Sequence, residues 1–367
     1  MMTPLGALSS LDLDNPATCF DILAHDKHQI AEGMVVESLF DQIISRIPES
    51  MEFDDVHVLD VETFIARDPH NFNRPYAFVW SRRLGSGMGR YLLALERGFD
   101  VFRVVLNSDG SDFMACRIVG GQRSGEWMLL SEMIEAQGCV RSGNYNVAGS
   151  VRLSDRQMGA FWGYLREAYG SRLKTHVALP RVLVNWGIQP YFRNVWNIDR
   201  IVVTATEIWA LEAKHKFPFR RDGALHFGLN NGEAFLLRDL VNCGIRALHT
   251  VVVKPYWDMD IGSSYLLANY EARERALVVG MVMNVNVLDR VVRSCSGSSP
   301  LHTSVTGLSR LNYKPLPVTW FAPLSNLASP HEASRKMTEL LAGQLSERCT
   351  DALLELHRMN ARQNCRG

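Results

Sequence analysis

The chain reads as an α+β protein of two domains, and three patterns carry that expectation. An amphipathic helix near the N-terminus gives way to short apolar runs separated by turn residues. A hairpin of two β-branched strands lies past the midpoint, and a helix and then a strand follow it directly. With 367 residues, 47% of them hydrophobic and 21% charged, the chain can bury more than one core and has the composition of an ordinary globular protein.

The elements follow in order. Val35, Val36, Leu39, Phe40, Ile43, Ile44 and Ile47 recur at helical spacing, and Pro48 ends the pattern. Between Val56 and Ile134, apolar runs at 56–61, 76–80, 101–106, 113–119 and 127–130 alternate with Gly, Asp and Asn breaks, predicting a mainly β or α+β region. Gly85, Gly87 and Gly89 lack the Lys-Ser/Thr pair and the spacing of a phosphate loop, so they read as a glycine-rich turn. The Gly-, Ser- and Asn-rich stretch 140–149 marks the expected boundary between residues 1–150, a recognition or regulatory domain, and residues 151–367.

Ser154 and Gln157 form a capping-box pattern, Met158, Phe161, Trp162, Leu165 and Tyr169 give the helix its apolar face, and Gly170 stops it. The runs Ile201-Val202-Val203 and Ile208-Trp209-Ala210-Leu211 flank a short polar break and predict a largely buried β-hairpin. Asn230 to Glu233 is a cap-like start for a helix striped by Leu236, Leu237, Leu240 and Val241, and a strand over 247–255 follows. The run 276–283 suits strand and buried helix alike. Residues 294–300 read as a Ser/Gly loop, and Pro315 and Pro317 punctuate an extended stretch. Ser329, Pro330 and Glu332 start a last helix, expected to run to about Met359 through Gly343 and to dock on the core or on a second subunit of a homodimer.

Charge excludes a global nucleic-acid signature, because 39 basic residues balance 39 acidic ones. A local patch remains in Lys214, His215, Lys216, Arg220 and Arg221. The N-terminal residues lack the basic and long apolar regions of a secretory signal, and no run reaches the roughly 18 apolar residues of a membrane span. Seven cysteines without a close CxxC pair suggest reduced thiols, so the expected location is cytoplasmic. Cys19, His25 and His28 have no second ligand pair at zinc spacing and read as structural.

The hairpin carries the chemistry. With its loop centred between Ala205 and Thr206, Asp199 falls opposite Glu212, and strand alternation puts Lys214 on the same side as Glu212. Opposed carboxylates in a buried sheet destabilise it unless something neutralises them, and a divalent cation would do so.

An Asp followed, on the neighbouring strand, by Glu-x-Lys resembles the active site of the PD-(D/E)XK nuclease superfamily. Ile198-Asp-Arg-Ile-Val-Val203, Glu212-Ala-Lys-His215 and the helix from Asn230 look closest to the nuclease-related domain called NERD, over residues 190–256. Two positions differ from the family pattern: Thr206 and Glu207 stand where a turn glycine is usual, and Arg200 where His is usual. The resemblance implies a restriction-endonuclease-like αβββαβ core, with the helix from residue 154 opening it and Glu167 as the nearest candidate for a further acidic group, although its place off the apolar stripe predicts a solvent-facing role. It also implies a Mg²⁺- or Mn²⁺-dependent endonuclease with DNA as the expected substrate, serving restriction, repair or defence against mobile DNA. Asp199, Glu212 and the backbone carbonyl of Ala213 would be metal ligands, since hard oxygens suit Mg²⁺. Lys214 would orient or help deprotonate the attacking water and stabilise negative charge. Lys216, Arg220, Arg221 and Arg238 would contact phosphates. The competing class is a retired nuclease fold that binds nucleic acid or protein without catalysis.

Overall fold

The structure, a computed structural model, describes residues 1–367 except 28, 51–55, 69–73, 144, 150–151, 153–154, 193, 260, 300–308 and 361–367. Among the described residues no helix is long and apolar enough to cross a membrane, and the six described cysteines are free thiols. The capping-box Ser154 lies outside the described residues.

The hairpin forms in the expected register. Strands Arg200–Val203 and Ile208–Lys216 are antiparallel, with Arg200 opposite Leu211 and Val203 opposite Ile208, so the ladder runs up to the point where Asp199 would meet Glu212. The turn needs no glycine. Thr204 N donates to Glu207 O at 2.9 Å, and Thr204 Oγ1 accepts from Glu207 N at 2.9 Å. A Thr hydroxyl thus closes a four-residue loop without left-handed backbone.

Ile208–Lys216 pairs in parallel with Arg246–Val253, placing Glu212 opposite His249, and helix Asn231–Asn242 makes the crossover between them. Leu277–Met283 and Ala322–Asn326 extend this sheet on one side and His57–Leu59 on the other, giving six strands. The ambiguous run 276–283 is therefore strand, buried on both faces, which removes the alternation that would have identified it. Trp209, Leu211 and Ala213 join a core with helix Gln29–Ile44. Ala210, on the other face, packs with Leu236, Leu237 and Leu240 of helix Asn231–Asn242. A small sheet containing Phe219–Arg221, Ala224–Asn230 and Asn312–Pro317 contacts that helix.

A second six-stranded sheet orders Gln122–Leu129, Phe113–Val119, Asp100–Leu106, Tyr76–Ser81, Val61–Arg67 and Asn194–Ile198. Each sheet thus takes an edge strand from across the expected boundary near 150. Two chain segments step from sheet to sheet at a single aspartate, one at Asp60 and one at Asp199. Leu59 faces Ile201 on one side of the step, and Thr63 faces Ile198 on the other. The glycine turn also bridges the halves. Gly87 has a φ of 85°, a Cβ there would lie 2.7 Å from Val203 Cγ1, and Arg90 Nη1 donates to Thr204 O at 2.6 Å.

The single long C-terminal helix is corrected to two helices, Pro330–Leu341 and Asp351–His357. Gly343 takes a φ of 73° and ends the first. The chain then turns inward, where buried Cys349 donates its N–H to Phe321 O at 2.8 Å, before Thr350 caps the second.

Candidate functional site

Asp199 sits at the step between the sheets, so its backbone has left the ladder while its side chain remains. Oδ2 accepts the Ala213 N–H at 2.9 Å, which holds the carboxylate beside the strand that carries Glu212. The N–H and C=O of one strand residue point to the same edge, so the Ala213 carbonyl shares that side. Lys214 Nζ pairs with Glu212 Oε1 and lies 3.7 Å from Glu233 Oε1. The structure therefore brings Asp199, Glu212 and Lys214 together and adds a third acid. Asp199, Glu212 and Glu233 are 7%, 3% and 6% exposed.

Sequence reasoning missed Glu233 by treating it as a capping residue. Asn230 alone makes the cap, its side chain accepting from Gly232 N at 2.8 Å. The overlooked signal is spacing, because Glu233 lies in line with Leu236, Leu237 and Leu240 on the helix face that turns inward. His249 was missed too. It is fully buried in an apolar strand, its Nδ1 lies 3.8 Å from Glu233 Oε1, and neither ring nitrogen makes a hydrogen bond. Thr250 Oγ1, on the next residue, donates to Glu212 O at 2.8 Å.

The electrostatics follow from burial. Burial, reinforced by Asp199, pushes the Glu212 carboxyl well above the usual carboxylate range. Asp199 is raised by burial against the opposing pull of Lys214 and the Ala213 N–H. Glu233 goes the other way: despite burial, Lys214 and Lys216 keep it below the ordinary value. Burial disfavours the Lys214 ammonium, yet Glu212, Glu233 and Asp199 together hold it charged well beyond the usual lysine range. Burial lowers His249 to about 3, leaving a neutral imidazole.

The other candidates divide. Lys216 reaches the same cluster and donates to Gly228 O at 2.5 Å, and burial lowers its pKa. Arg220 is committed elsewhere, to Glu355 at 2.9 Å and Asp351 at 3.8 Å on the last helix. Arg221 lies 3.4 Å from Asp222. Arg238 stacks over Phe235 at 5.1 Å. Glu167 is exposed on helix Asp155–Tyr169, as its place off the apolar stripe predicts, and that helix packs on Gln29–Ile44. The acid that approaches from a helix is Glu37 of Gln29–Ile44, pushed up to about 8 by burial and by Asp199. Arg200 clamps that helix to the hairpin through two 2.6 Å bonds to Asp41.

A Ser–His–acid trio occurs on the opposite face of the motif strand, but it is not arranged for acyl transfer. Ser263 Oγ and Glu32 Oε1 both address His215 Nδ1, at 3.4 and 2.8 Å, and Nε2 is taken by the Tyr265 hydroxyl at 2.5 Å. A nucleophile and its orienting acid must use different ring nitrogens.

Among the described residues no three His, Cys, Asp or Glu side chains close into a ready-made metal cage. The donor set present suits a more open site. Two buried carboxylates with raised pKa values, and a Glu233 Oε1 without a hydrogen-bond partner, are what one hard divalent cation would satisfy, since Mg²⁺ is commonly held by one or two carboxylates plus substrate oxygens. No protein-family model, curated protein or solved structure matches this chain.

Proposed function

We propose that the chain is a divalent-metal-dependent phosphodiesterase, with Mg²⁺ or Mn²⁺ as cofactor and DNA as substrate. The observation that carries it is the hydrogen bond from Ala213 N to Asp199 Oδ2, which sets the Asp beside Glu212 and Lys214 although the ladder between the strands has ended. Element order adds support. Helix Gln29–Ile44, strands His57–Leu59, Arg200–Val203 and Ile208–Lys216, helix Asn231–Asn242 and strand Arg246–Val253 follow the αβββαβ order of a restriction-endonuclease-like core, with 60–199 inserted between its first two strands.

Asp199 and Glu212, with the Ala213 carbonyl, would hold the cation. When bound, it supplies charge for the phosphate oxygens and acidifies water. Lys214, placed against Glu212 and Glu233, would orient or help deprotonate the attacking water and stabilise charge on the phosphate. Glu233, with Oε1 3.7 Å from Lys214 Nζ, helps to keep the ammonium in the cluster. The test is a panel of linear and circular DNA and RNA, single- and double-stranded, incubated with purified protein in Mg²⁺, Mn²⁺ or chelator. Cleavage that chelator abolishes is expected. Binding without cleavage under every metal condition would favour the retired, non-catalytic alternative.

A further inference from the structure

The segments that carry Asp199 and Glu233 also wall a cavity of about 880 Å³. Trp196 comes from strand Asn194–Ile198, roughly 10 Å of extended chain before Asp199. Gly232, Phe235 and Arg238 come from helix Asn231–Asn242, and Gly232 adjoins Glu233. The indole lies so close over Gly232 that a Cβ there would sit 2.5 Å from Trp196 Cζ2, so a residue without a side chain lets the ring reach the helix. Phe235 is 38% exposed. Lys27, Arg67 and Arg238 line the wall against a single acid, Asp239, which pairs with Arg67.

Aromatic rings interleaved with cations in a concave wall suit a nucleotide whose base face is free. In a duplex each base face is already stacked on its neighbours, whereas an unpaired base can stack on protein aromatics while its phosphates meet cations. We infer that this cavity receives an unpaired nucleotide of the strand to be cut, its base against Phe235 and Trp196 and its phosphate on Arg238. The inference rests on the phosphodiesterase reading for the identity of that strand, and it narrows the substrate to single-stranded or locally opened nucleic acid.

Fluorescence anisotropy in chelator separates binding from cleavage, using a labelled single strand of DNA, the same sequence as RNA, and the blunt DNA duplex. Wild type is expected to bind a single strand roughly tenfold more tightly than the duplex. Phe235→Ala is expected to weaken single-strand binding by roughly tenfold, and Phe235→Tyr to retain it. Arg238→Ala is expected to lower the slope of log affinity against log salt by about 0.7, one phosphate contact on a single strand. The DNA and RNA arms identify which kind of strand is held. Unfolding temperatures equal to wild type verify that exposed Phe235 was truncated without harm to the core. Duplex bound as tightly as single strand, or undiminished binding by well-folded Phe235→Ala, would overturn the inference. Selective single-strand binding that Phe235→Ala abolishes supports it even where no metal yields cleavage, an outcome that would sink the proposed function alone.

Discussion

Asp199 keeps a carboxylate beside Glu212 through one backbone N–H, and this has a measurable electrostatic consequence. Asn at 199 retains an acceptor for Ala213 N while removing a charge from a buried acidic cluster. Wild type is expected to gain unfolding temperature on adding Mn²⁺, and Asp199→Asn is expected to stabilise the metal-free protein by about 1 kcal/mol or less and to abolish that gain. An equal metal response in both proteins would count against Asp199 as a ligand. Glu37 supplies a pH test. Its folded-state carboxyl is pushed up to about 8 from an ordinary 4.5, so between those values the native state holds a proton that the unfolded state has released. Stability must then fall as pH rises through that window. Glu37→Gln cannot titrate, and it is expected to match wild type below about pH 4.5 and to gain on it steadily up to about pH 8. Urea midpoints across the range check this, and parallel curves would contradict it. At this scale the sequence showed Asp199, Glu212 and Lys214 because their spacing fits one strand register. Glu37 stayed hidden because its approach to Asp199 spans more than 160 residues of chain.

The hairpin was legible as an element because its two β-branched runs are local and its loop centre fixes the register. How the turn closes was not, since a glycine-free loop depends on the hydroxyl of Thr204. The glycine run was legible as a turn, but its purpose is tertiary. Gly87→Ala would force a side chain both into a left-handed backbone and into Val203, an expected cost of about 2 kcal/mol or more. Gly85, with nothing within 4 Å of an added Cβ, is expected to accept Ala for less than about 1 kcal/mol. Chemical denaturation of the two variants checks the difference, and equal costs would contradict the contact between turn and hairpin. The last helix shows the opposite failure. Leucines at helical spacing span Gly343, yet the buried Cys349 and its bond to Phe321 O draw the chain inward and split the helix.

At the scale of the molecule, the strand exchange at Asp60 and Asp199 joins the halves, and no local pattern announces a pairing between residues so far apart. Residues 151–367 alone would lack His57–Leu59 at the sheet edge and helix Gln29–Ile44 over Trp209 and Leu211, exposing a large apolar face. That fragment is expected to aggregate or to lack a cooperative unfolding transition by circular dichroism; a soluble, cooperatively folded fragment would contradict the exchange as a structural requirement. The exchange also places Asp199, so the integrity of both sheets and the chemistry of the site are linked. The most direct test of that chemistry is the single-turnover rate of strand cleavage in Mn²⁺ by wild type, Glu212→Gln and Lys214→Ala, each first shown to unfold cooperatively. Both variants are expected to lose at least about a hundredfold in rate, and chelator to stop wild type. Full activity in either well-folded variant, or cleavage that persists in chelator, would contradict a metal site built on Asp199, Glu212 and Lys214.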